Sequence, residues 1–519
     1  MSSFRCIWEY IKMDMEQTLA VISSGMLLRQ AATIVFLSAL GYVFIWSVGS
    51  RCKKEVRVLL SFPAGLSFFC TGIFAMLVVK IRISVPRLIF VLVFAFAAVC
   101  ALSLLYGKQT GNREKTDLKS FDMKIFFIML AVSAAVAVFC CAGVLSVSLD
   151  NDSYYYFSTY PQILIEEGDL KYEFDVLLTD TGIMAVIINA IPYIFGFLNT
   201  FGIQHFLNIN FLLIFGYALY NELINSSLSN KKSACILSVA ATVFLATNPA
   251  YITTAKWIMA GDYFMVFFFI LMYFGYKETE GTQDMPFILM LFAIEASMLR
   301  QEGPIMIAFL IFCLSVLDYS NQKLVTVYLM PVLIAAGYYY LRIFVFLGVR
   351  PVYAFLTPQK ALLIIALLGI LIIYMILIRG RYFVRLQSRL IYLIPLLLIV
   401  ANILMLLKNH TRYLTNLYAF FMNIRLRNGW GYFGYFFFVF LVLAFILAVK
   451  NKDFSINFFD MMMIGYILVA VCAAWGRGDS LRVGAGDSGN RVMLTAVPII
   501  TFAMVLRLFK KIPQGEAFK

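Results

Sequence analysis

The sequence predicts an all-α, polytopic membrane protein. Of its 519 residues, 62% are hydrophobic and 13% are charged, whereas soluble domains carry about 25% charged residues. Apolar runs of roughly 17–25 residues recur from one end of the chain to the other, and this length spans a hydrocarbon core of about 30 Å. These observations exclude an ordinary soluble fold.

The apolar runs predict roughly 14–16 membrane segments. They fall near 26–48, 58–79, 85–105, 124–147, 183–198, 204–222, 233–248, 262–276, 285–299, 304–318, 324–346, 361–378, 390–407, 431–449, 457–475 and 492–508. Because no stretch between them is long enough for a soluble domain, we expect one membrane domain. It divides into about four N-terminal helices (1–148), an outer loop of catalytic type (149–182) and the remaining helix bundle (183–519).

Basic residues cluster in short loops, and this pattern predicts the topology. The clusters lie at 51–57, 108–119, 379–385, 450–452 and 509–511. The positive-inside rule accounts for the net charge of +14 without a nucleic-acid partner. It places 149–182 outside. For the orientation to agree on both sides of that loop, 183–198, with Pro192 and Gly196, must dip into the membrane without crossing it.

The residue inventory excludes several kinds of active site. The nine cysteines are scattered, mostly in apolar segments, and form no CxxC pair, so core packing explains them. With histidine only at positions 205 and 410, a histidine-rich metal centre or a Ser-His-Asp triad is not expected. A GxxxxGK[ST] loop is absent, which argues against nucleotide hydrolysis.

One outer stretch of this basic chain is acidic, because 149–182 holds eight of the 28 acidic residues. Asp150 and Asp152 open it at the membrane rim, where a carboxylate can accept a proton from a substrate hydroxyl. The alternative is an Asx-turn after a helix end, with both carboxylates solvated. Residues 154–165 predict an aromatic interfacial helix that ends at Gly168.

Two further polar segments share the predicted outer face. In the first, Asn248-Pro249 breaks a helix. A polar turn with Lys256 then leads to Asp262 at the start of the next apolar run. A plain inter-helix turn is the alternative. In the second, Glu295 lies within an apolar segment, where ionisable residues are costly and usually functional. The alternative there is a structural ion pair with Arg300.

A late glycine-rich loop, 476–498, is the fourth candidate segment. It contains five glycines, which allow close approach to a ligand, together with Arg477, Arg482 and Arg491. Arginine at a membrane rim suits a phosphate oxygen because it forms bidentate hydrogen bonds. The alternative is a flexible loop whose arginines snorkel to the interface.

Together, these four segments resemble the GT-C class of integral-membrane glycosyltransferases, which includes protein O-mannosyltransferases and the aminoarabinose transferases that act on lipid A. The matching residues occur in the order expected for that class: Asp150, Tyr154, Tyr155 and Gly168; Asn248, Pro249 and Asp262; Arg300, Glu302 and Gly303; Arg491 and Pro498. In that class the catalytic loop usually follows the first membrane helix, whereas about four helices precede it here.

The resemblance implies an inverting transfer of a sugar from a polyprenyl-phosphate donor to an acceptor on the outer face. Asp150 or Asp152 would be the general base. Arg491, then Arg300 and Lys256, would stabilise charge on the phosphate leaving group. The other substrate-binding candidates are Asp262, Glu295, Glu302, Tyr154 and Tyr155. Of these, Asp262 and Glu295 would orient the sugar or the base.

The expected partners are membrane lipids, a lipid-linked sugar donor and a glycan, lipid or protein acceptor. No cofactor is firmly implied, and a divalent metal is neither required nor excluded. The expected location is the bacterial cytoplasmic membrane, with the active site on its outer side. Two rival functions stay open: a polysaccharide polymerase or ligase that uses lipid-pyrophosphate-linked glycans, which the basic segment 408–428 would also serve, and a lipid or solute transporter.

Overall fold

The structure is a computed structural model. It describes residues 24–48, 52–107, 123–140, 160–167, 182–196, 201–225, 230–256, 260–280, 285–300, 302–317, 329, 332–333, 336–337, 340–341, 357–377, 384–425, 430–451, 457–476 and 493–509.

Within these ranges the chain is all-helical, with 18 helices and no strand. In chain order the helices are α1 (Ser24–Val48), α2 (Lys54–Val78), α3 (Val85–Gly107), α4 (Met123–Cys140), α5 (Tyr160–Glu167), α6 (Ile183–Ile194), α7 (Phe201–Asn225), α8 (Lys231–Ala246), α9 (Pro249–Lys256), α10 (Ala260–Thr279), α11 (Pro286–Ser297), α12 (Gly303–Leu317), α13 (Pro358–Leu377), α14 (Val384–Lys408), α15 (His410–Arg425), α16 (Tyr432–Asn451), α17 (Phe458–Gly476) and α18 (Ala496–Phe509).

Five described helices are long and apolar enough to cross a membrane: Leu28–Val48, Lys54–Val78, Ile203–Asn225, Pro358–Leu377 and Tyr432–Lys450. This supports the prediction of a helical membrane protein. Most predicted segments have a helix in place, but several helices are shorter than the apolar runs that predicted them. For example, the run 285–299 contains the 12-residue helix α11, which is about 18 Å long.

α1 and α2 pack most closely, because glycines let their backbones meet. A Cβ atom on Gly41 would lie 1.8 Å from the Ser61 carbonyl oxygen, and one on Gly65 would lie 1.8 Å from the Leu37 carbonyl oxygen. Small residues at such crossings are a common way for membrane helices to associate. α7 and α11 pack against this pair.

α10 is the central helix, and 18 of its 20 residues are buried. Its aromatic side chains contact the rings of neighbouring helices, such as Phe211 of α7 against Phe269 and Phe292 of α11 against Phe267. By contrast, α13 and α16 expose most of their apolar residues, as expected for helices that face lipid. Buried polar groups lie at both ends of α10, with Asp262 in its first turn and Lys277 in its last turn.

One end of the bundle carries a buried ion cluster. We call this end of the bundle the opposite end, and the other end the site end. Lys277 in the last turn of α10 pairs with Glu222 of α7 and, at 2.7 Å, with Glu280. Cys52 lies in the connection between α1 and α2. Burial raises the pKa of its thiol to about 12, although the Arg57 guanidinium acts in the other direction. The raised pKa favours the thiol over the reactive thiolate.

α17 and α18 also meet at the opposite end. The ring of Tyr276 stacks on that of Phe458, with 5.3 Å between centroids. Arg507 Nη1 donates a hydrogen bond to Asp460 Oδ2 at 3.1 Å. These contacts join the first turn of α17 and the last turn of α18 to the end of α10.

The other end, called the site end, is where α6 both begins and finishes. At its start, the Met184 backbone N–H donates to the Met298 carbonyl (3.0 Å). Just after its finish, Arg29 Nη1 donates to the Gly196 carbonyl (2.7 Å). The helix has 12 residues, about 18 Å, which is short of the roughly 30 Å apolar core. A helix of this length is compatible with the prediction that 183–198 dips into the membrane without crossing it.

One predicted turn is wrong. The sequence predicts a polar turn with Lys256 before Asp262, with a plain inter-helix turn as the alternative, whereas the structure has the eight-residue helix α9 there. Asn248 caps that helix, since its Oδ1 accepts hydrogen bonds from the N–H groups of Ala250 (2.8 Å) and Tyr251 (3.2 Å). Pro249 then occupies the first helical position, which tolerates proline.

Candidate functional site

Asp262 lies at the site end of α10, fully buried in a cluster of side-chain amides. Its Oδ2 atom accepts a hydrogen bond from Asn208 Nδ2 at 2.8 Å and one from Gln204 Nε2 at 3.3 Å. Both donors are on α7, four residues apart, so they share one helical face. Asp262 Oδ1 accepts no hydrogen bond from any residue that the structure describes.

The next residue extends this cluster toward α6. The Tyr263 hydroxyl donates to Asn189 Oδ1 at 3.1 Å, and Asn189 Nδ2 donates to the Ala185 carbonyl at 2.7 Å. Tyr263 is also within electrostatic reach of Cys70 on α2. The buried polar groups around Asp262 thus connect four helices, α2, α6, α7 and α10.

Glu295 is the second fully buried carboxylate. It lies within electrostatic reach of Cys70, the same thiol that interacts with Tyr263. Within the described ranges neither of its oxygens has a hydrogen-bond partner. The alternative of a Glu295–Arg300 ion pair is wrong, because Arg300 pairs with Glu302 instead.

The Arg300–Glu302 pair occupies the tight turn between α11 and α12. Gly303 makes the turn possible, since a Cβ atom there would lie 2.7 Å from the Ser297 carbonyl oxygen and 2.8 Å from that of Ala296. The Arg300 and Glu302 side chains are 17% and 12% exposed. Their partial exposure distinguishes them from Asp262 and Glu295, because an incoming ligand can reach them.

The acidic segment ends directly on this turn. Gly182, its last residue, has a φ of 84°, which favours glycine. A Cβ atom on Gly182 would lie 2.5 Å from the Met298 carbonyl oxygen and 2.7 Å from that of Leu299. The backbone of the acidic segment is therefore pinned one or two residues before Arg300.

The start of the last helix approaches the same turn. Tyr466 of α17 forms a side-chain hydrogen bond with Thr495, and it lies within electrostatic reach of Arg300 and Glu302. Its ring also contacts Phe268 of α10, at 5.3 Å between centroids. Thr495 follows Arg491 by four residues in the chain. We call this meeting point the Arg300 site; its residues are Gly182, Met298, Arg300, Glu302, Tyr466 and Thr495.

The Arg300 guanidinium is well placed to bind an anion. Glu302 Oε1 accepts a hydrogen bond from its Nε, which fixes the plane of the group. Among the described residues it has no other partner, although a guanidinium carries five N–H donors. The terminal nitrogens can therefore donate two parallel hydrogen bonds to a phosphate or carboxylate.

The predicted site residues fall into two sets. Asp262, Glu295, Arg300 and Glu302 are described, and all four lie toward the site end. Asp150, Asp152, Tyr154, Tyr155 and Arg491 lie outside the described residues, as does the side chain of Lys256. The structure thus brings the described candidates to one end of the bundle, in two layers: a buried layer around Asp262 and Glu295, and a partly exposed one at Arg300.

The amides that hold Asp262 were not among the residues predicted from the sequence. A signal was present, because Gln204 and Asn208 are spaced four apart in a largely apolar run that also contains His205 and Asn210. Asn189 lies in a similar setting on α6. Their partners on α10, Asp262 for the two α7 amides and Tyr263 for Asn189, become visible only when α6, α7 and α10 are packed together.

Within the part of the chain that the structure describes, no three His, Cys, Asp or Glu side chains group closely enough to hold a metal ion. No protein-family model, curated protein or solved structure matches the chain.

Proposed function

We propose that this protein is an inverting membrane glycosyltransferase of GT-C-like architecture, with roughly 14–16 membrane segments. It transfers a sugar from a polyprenyl-phosphate donor to an acceptor on the extracytoplasmic face of the membrane. The observation that carries the proposal is the Arg300 site. There, the end of the acidic segment, the Arg-x-Glu-Gly turn and the start of the last helix come together at one end of a helical bundle.

In this function the candidate residues have different roles. Asp150 or Asp152 takes the proton from the acceptor hydroxyl. Arg300 and Arg491 bind the phosphate and stabilise the charge that develops on it as the sugar leaves. Asp262 is fully buried, so it positions the wall of the site through α7 and α10. Glu302 holds Arg300 in the plane required for bidentate binding.

Donor cleavage in proteoliposomes tests the function. The full chain is incubated with a panel of polyprenyl-phosphate sugars and a membrane extract that supplies acceptors, and released polyprenyl phosphate is measured by mass spectrometry. Wild type should release it from at least one donor, and NMR of the product should show the inverted anomeric configuration. Arg300→Gln should lower kcat by about a hundredfold, the usual effect of removing one donor to a developing anion.

Arg82→Gln is the matched control, because Arg82 is an exposed arginine in the connection after α2, at the same end of the bundle. It should leave the rate unchanged. Glu302→Gln should have an intermediate effect, because it loosens Arg300 without removing it. The proposal fails if wild type cleaves none of the donors, or if Arg82→Gln and Arg300→Gln lower the rate equally.

A second candidate function is transport, which the two fully buried carboxylates favour. Glu295 is part of the short helix α11, and Asp262 precedes Tyr263, which contacts the short helix α6. Broken helices with buried polar groups commonly form binding sites in transporters. A transporter would move solute or lipid across the proteoliposome membrane without cleaving any donor. If the protein is a transporter, Asp262→Asn should abolish movement of the solute or lipid, and neither wild type nor the variant should show transfer activity.

A further inference from the structure

A cationic cluster lies at the site end of α13, α14, α15 and α17, and the proposed glycosyltransferase function does not use it. The Arg412 guanidinium carbon lies 5.4 Å from the centre of the Trp475 ring, and Lys408 Nζ lies 5.7 Å from it. Lys360, in the first turn of α13, is within electrostatic reach of Arg412. Trp475 is nine residues beyond Tyr466 on α17, about 14 Å along the helix, so this cluster is separate from the Arg300 site.

The cluster has hydrogen-bond donors without acceptors. Arg412 Nε and Nη2 and Trp475 Nε1 are all buried, and none has a hydrogen-bond partner within the described ranges. Neither Arg412 nor Lys408 forms an ion pair with a described carboxylate. Leaving buried donors unpaired costs about 1–3 kcal/mol each, and like charges over one ring repel. An anion that accepts these hydrogen bonds would remove both costs.

The position is held in place by its neighbours. Asn402 of α14 donates to Leu398 O (2.8 Å) and Cys472 Sγ (3.2 Å), and the Tyr413 hydroxyl donates to Asn402 Oδ1 (3.0 Å). α14, α15 and α17 are thereby joined one turn below Trp475. The backbone N–H of Arg412 also donates to Asn409 Oδ1 at 3.1 Å, which caps the start of α15. The donors are therefore pre-positioned for a ligand.

The surroundings indicate that the ligand has a lipid tail. Lys408 directly follows Leu407, which is 75% exposed, and Lys360 is followed on α13 by Leu363, which is 60% exposed. The exposed apolar face continues along both helices, and its further members are Leu367, Ile370, Ile373, Leu396, Leu397 and Leu404. A phosphate bound at the cluster would thus have apolar surface directly beneath it, which suits an acyl or isoprenoid chain but offers nothing to free phosphate.

We propose that Arg412, Lys408, Lys360 and the Trp475 indole N–H form a binding site for the phosphate group of a membrane amphiphile. Arg412 and Trp475 donate hydrogen bonds to the phosphate oxygens, while the two lysines neutralise its charge from the lipid-exposed side. The tail of the amphiphile lies along α13 and α14.

Native mass spectrometry of the full-length protein, purified in a neutral detergent, tests the site. The probes are phosphatidylglycerol, a polyprenyl monophosphate, diacylglycerol as the phosphate-free analogue, and inorganic phosphate. Wild type should retain at least one of the two phosphate amphiphiles and should not retain diacylglycerol. Arg412→Gln should weaken that binding about tenfold, the loss expected for one charge-assisted hydrogen bond. Raising the salt concentration should weaken the binding that remains.

Arg425→Gln is the matched control, because Arg425 is an exposed arginine in the last turn of the same helix. It should bind as wild type does. Trp475→Phe keeps an aromatic ring but removes the indole N–H donor and should weaken binding severalfold. If Arg412→Gln does not fold, Lys408→Gln carries the test, because Lys408 is exposed. The proposal is overturned if Arg412→Gln, or Lys408→Gln in its place, binds the phosphate amphiphile as tightly as wild type. It is also overturned if Arg425→Gln loses as much affinity as Arg412→Gln, or if inorganic phosphate displaces the amphiphile at an equal concentration.

Discussion

Removing the Lys277 charge should destabilise the protein far more than removing its more exposed partner. Lys277→Met is expected to lower the free energy of unfolding by about 3–5 kcal/mol, the cost of leaving a buried charge without its counterion. Glu222 is the charge left behind, and its side chain is 2% exposed. Glu280 is 34% exposed and can be hydrated instead, so Glu280→Gln should cost no more than about 1 kcal/mol.

The double variant Lys277→Met/Glu222→Gln sharpens the prediction because it removes both buried charges together. It should be less destabilised than the sum of the two single variants by about 1–3 kcal/mol. Unfolding is followed in mixed micelles of SDS and a neutral detergent. Lys277 is 15 residues from Asp262 on α10, about 22 Å away, so the folded fraction of each variant should keep its transfer activity. Equal costs for Lys277→Met and Glu280→Gln, or strictly additive effects, would refute this reasoning.

Three further predictions test the packing and the topology. Gly65→Ala should lower the midpoint of thermal unfolding in detergent, because its Cβ would lie 1.8 Å from the Leu37 carbonyl oxygen. Gly369→Ala should not lower it, because a Cβ there meets nothing within 4 Å. Asn248→Ala removes the acceptor for two backbone N–H groups of α9 and should cost about 1 kcal/mol by the same assay. A cysteine replacing Lys231 in a cysteine-free background should react with an impermeant maleimide only from the cytoplasmic side, and labelling from outside would contradict the topology.

The sequence was a good guide to where helices lie, because apolar runs of membrane length leave few alternatives. α10 was expected at 262–276 and extends over Ala260–Thr279. Helix lengths were predicted less well, since an apolar run does not show where a short helix stops. The end of α11 at Ser297, with Gly303 packed against it, depends on a tight turn. That turn directs Arg300 toward Glu302 and away from Glu295.

The buried part of the site could not be predicted from sequence for a related reason. Asp262 was a candidate because it opens an apolar helix, but its partners Gln204 and Asn208 are more than 50 residues earlier in the chain. α9 was missed because Asn-Pro is typical of turns, and the same pair also caps and begins a helix. The partners of Asp262 are set by tertiary packing, whereas α9 is set by a local cap that the Asn-Pro pair does not distinguish from a turn.

The most direct test of the proposed function is donor cleavage by Asp150→Asn and Asp152→Asn, measured separately in proteoliposomes with the donor that wild type uses. Both variants should reach wild-type abundance and keep donor binding. One of them should lose transfer almost completely, because its carboxylate takes the acceptor proton, and the other should retain most of the rate. Full transfer activity in both variants would contradict the account.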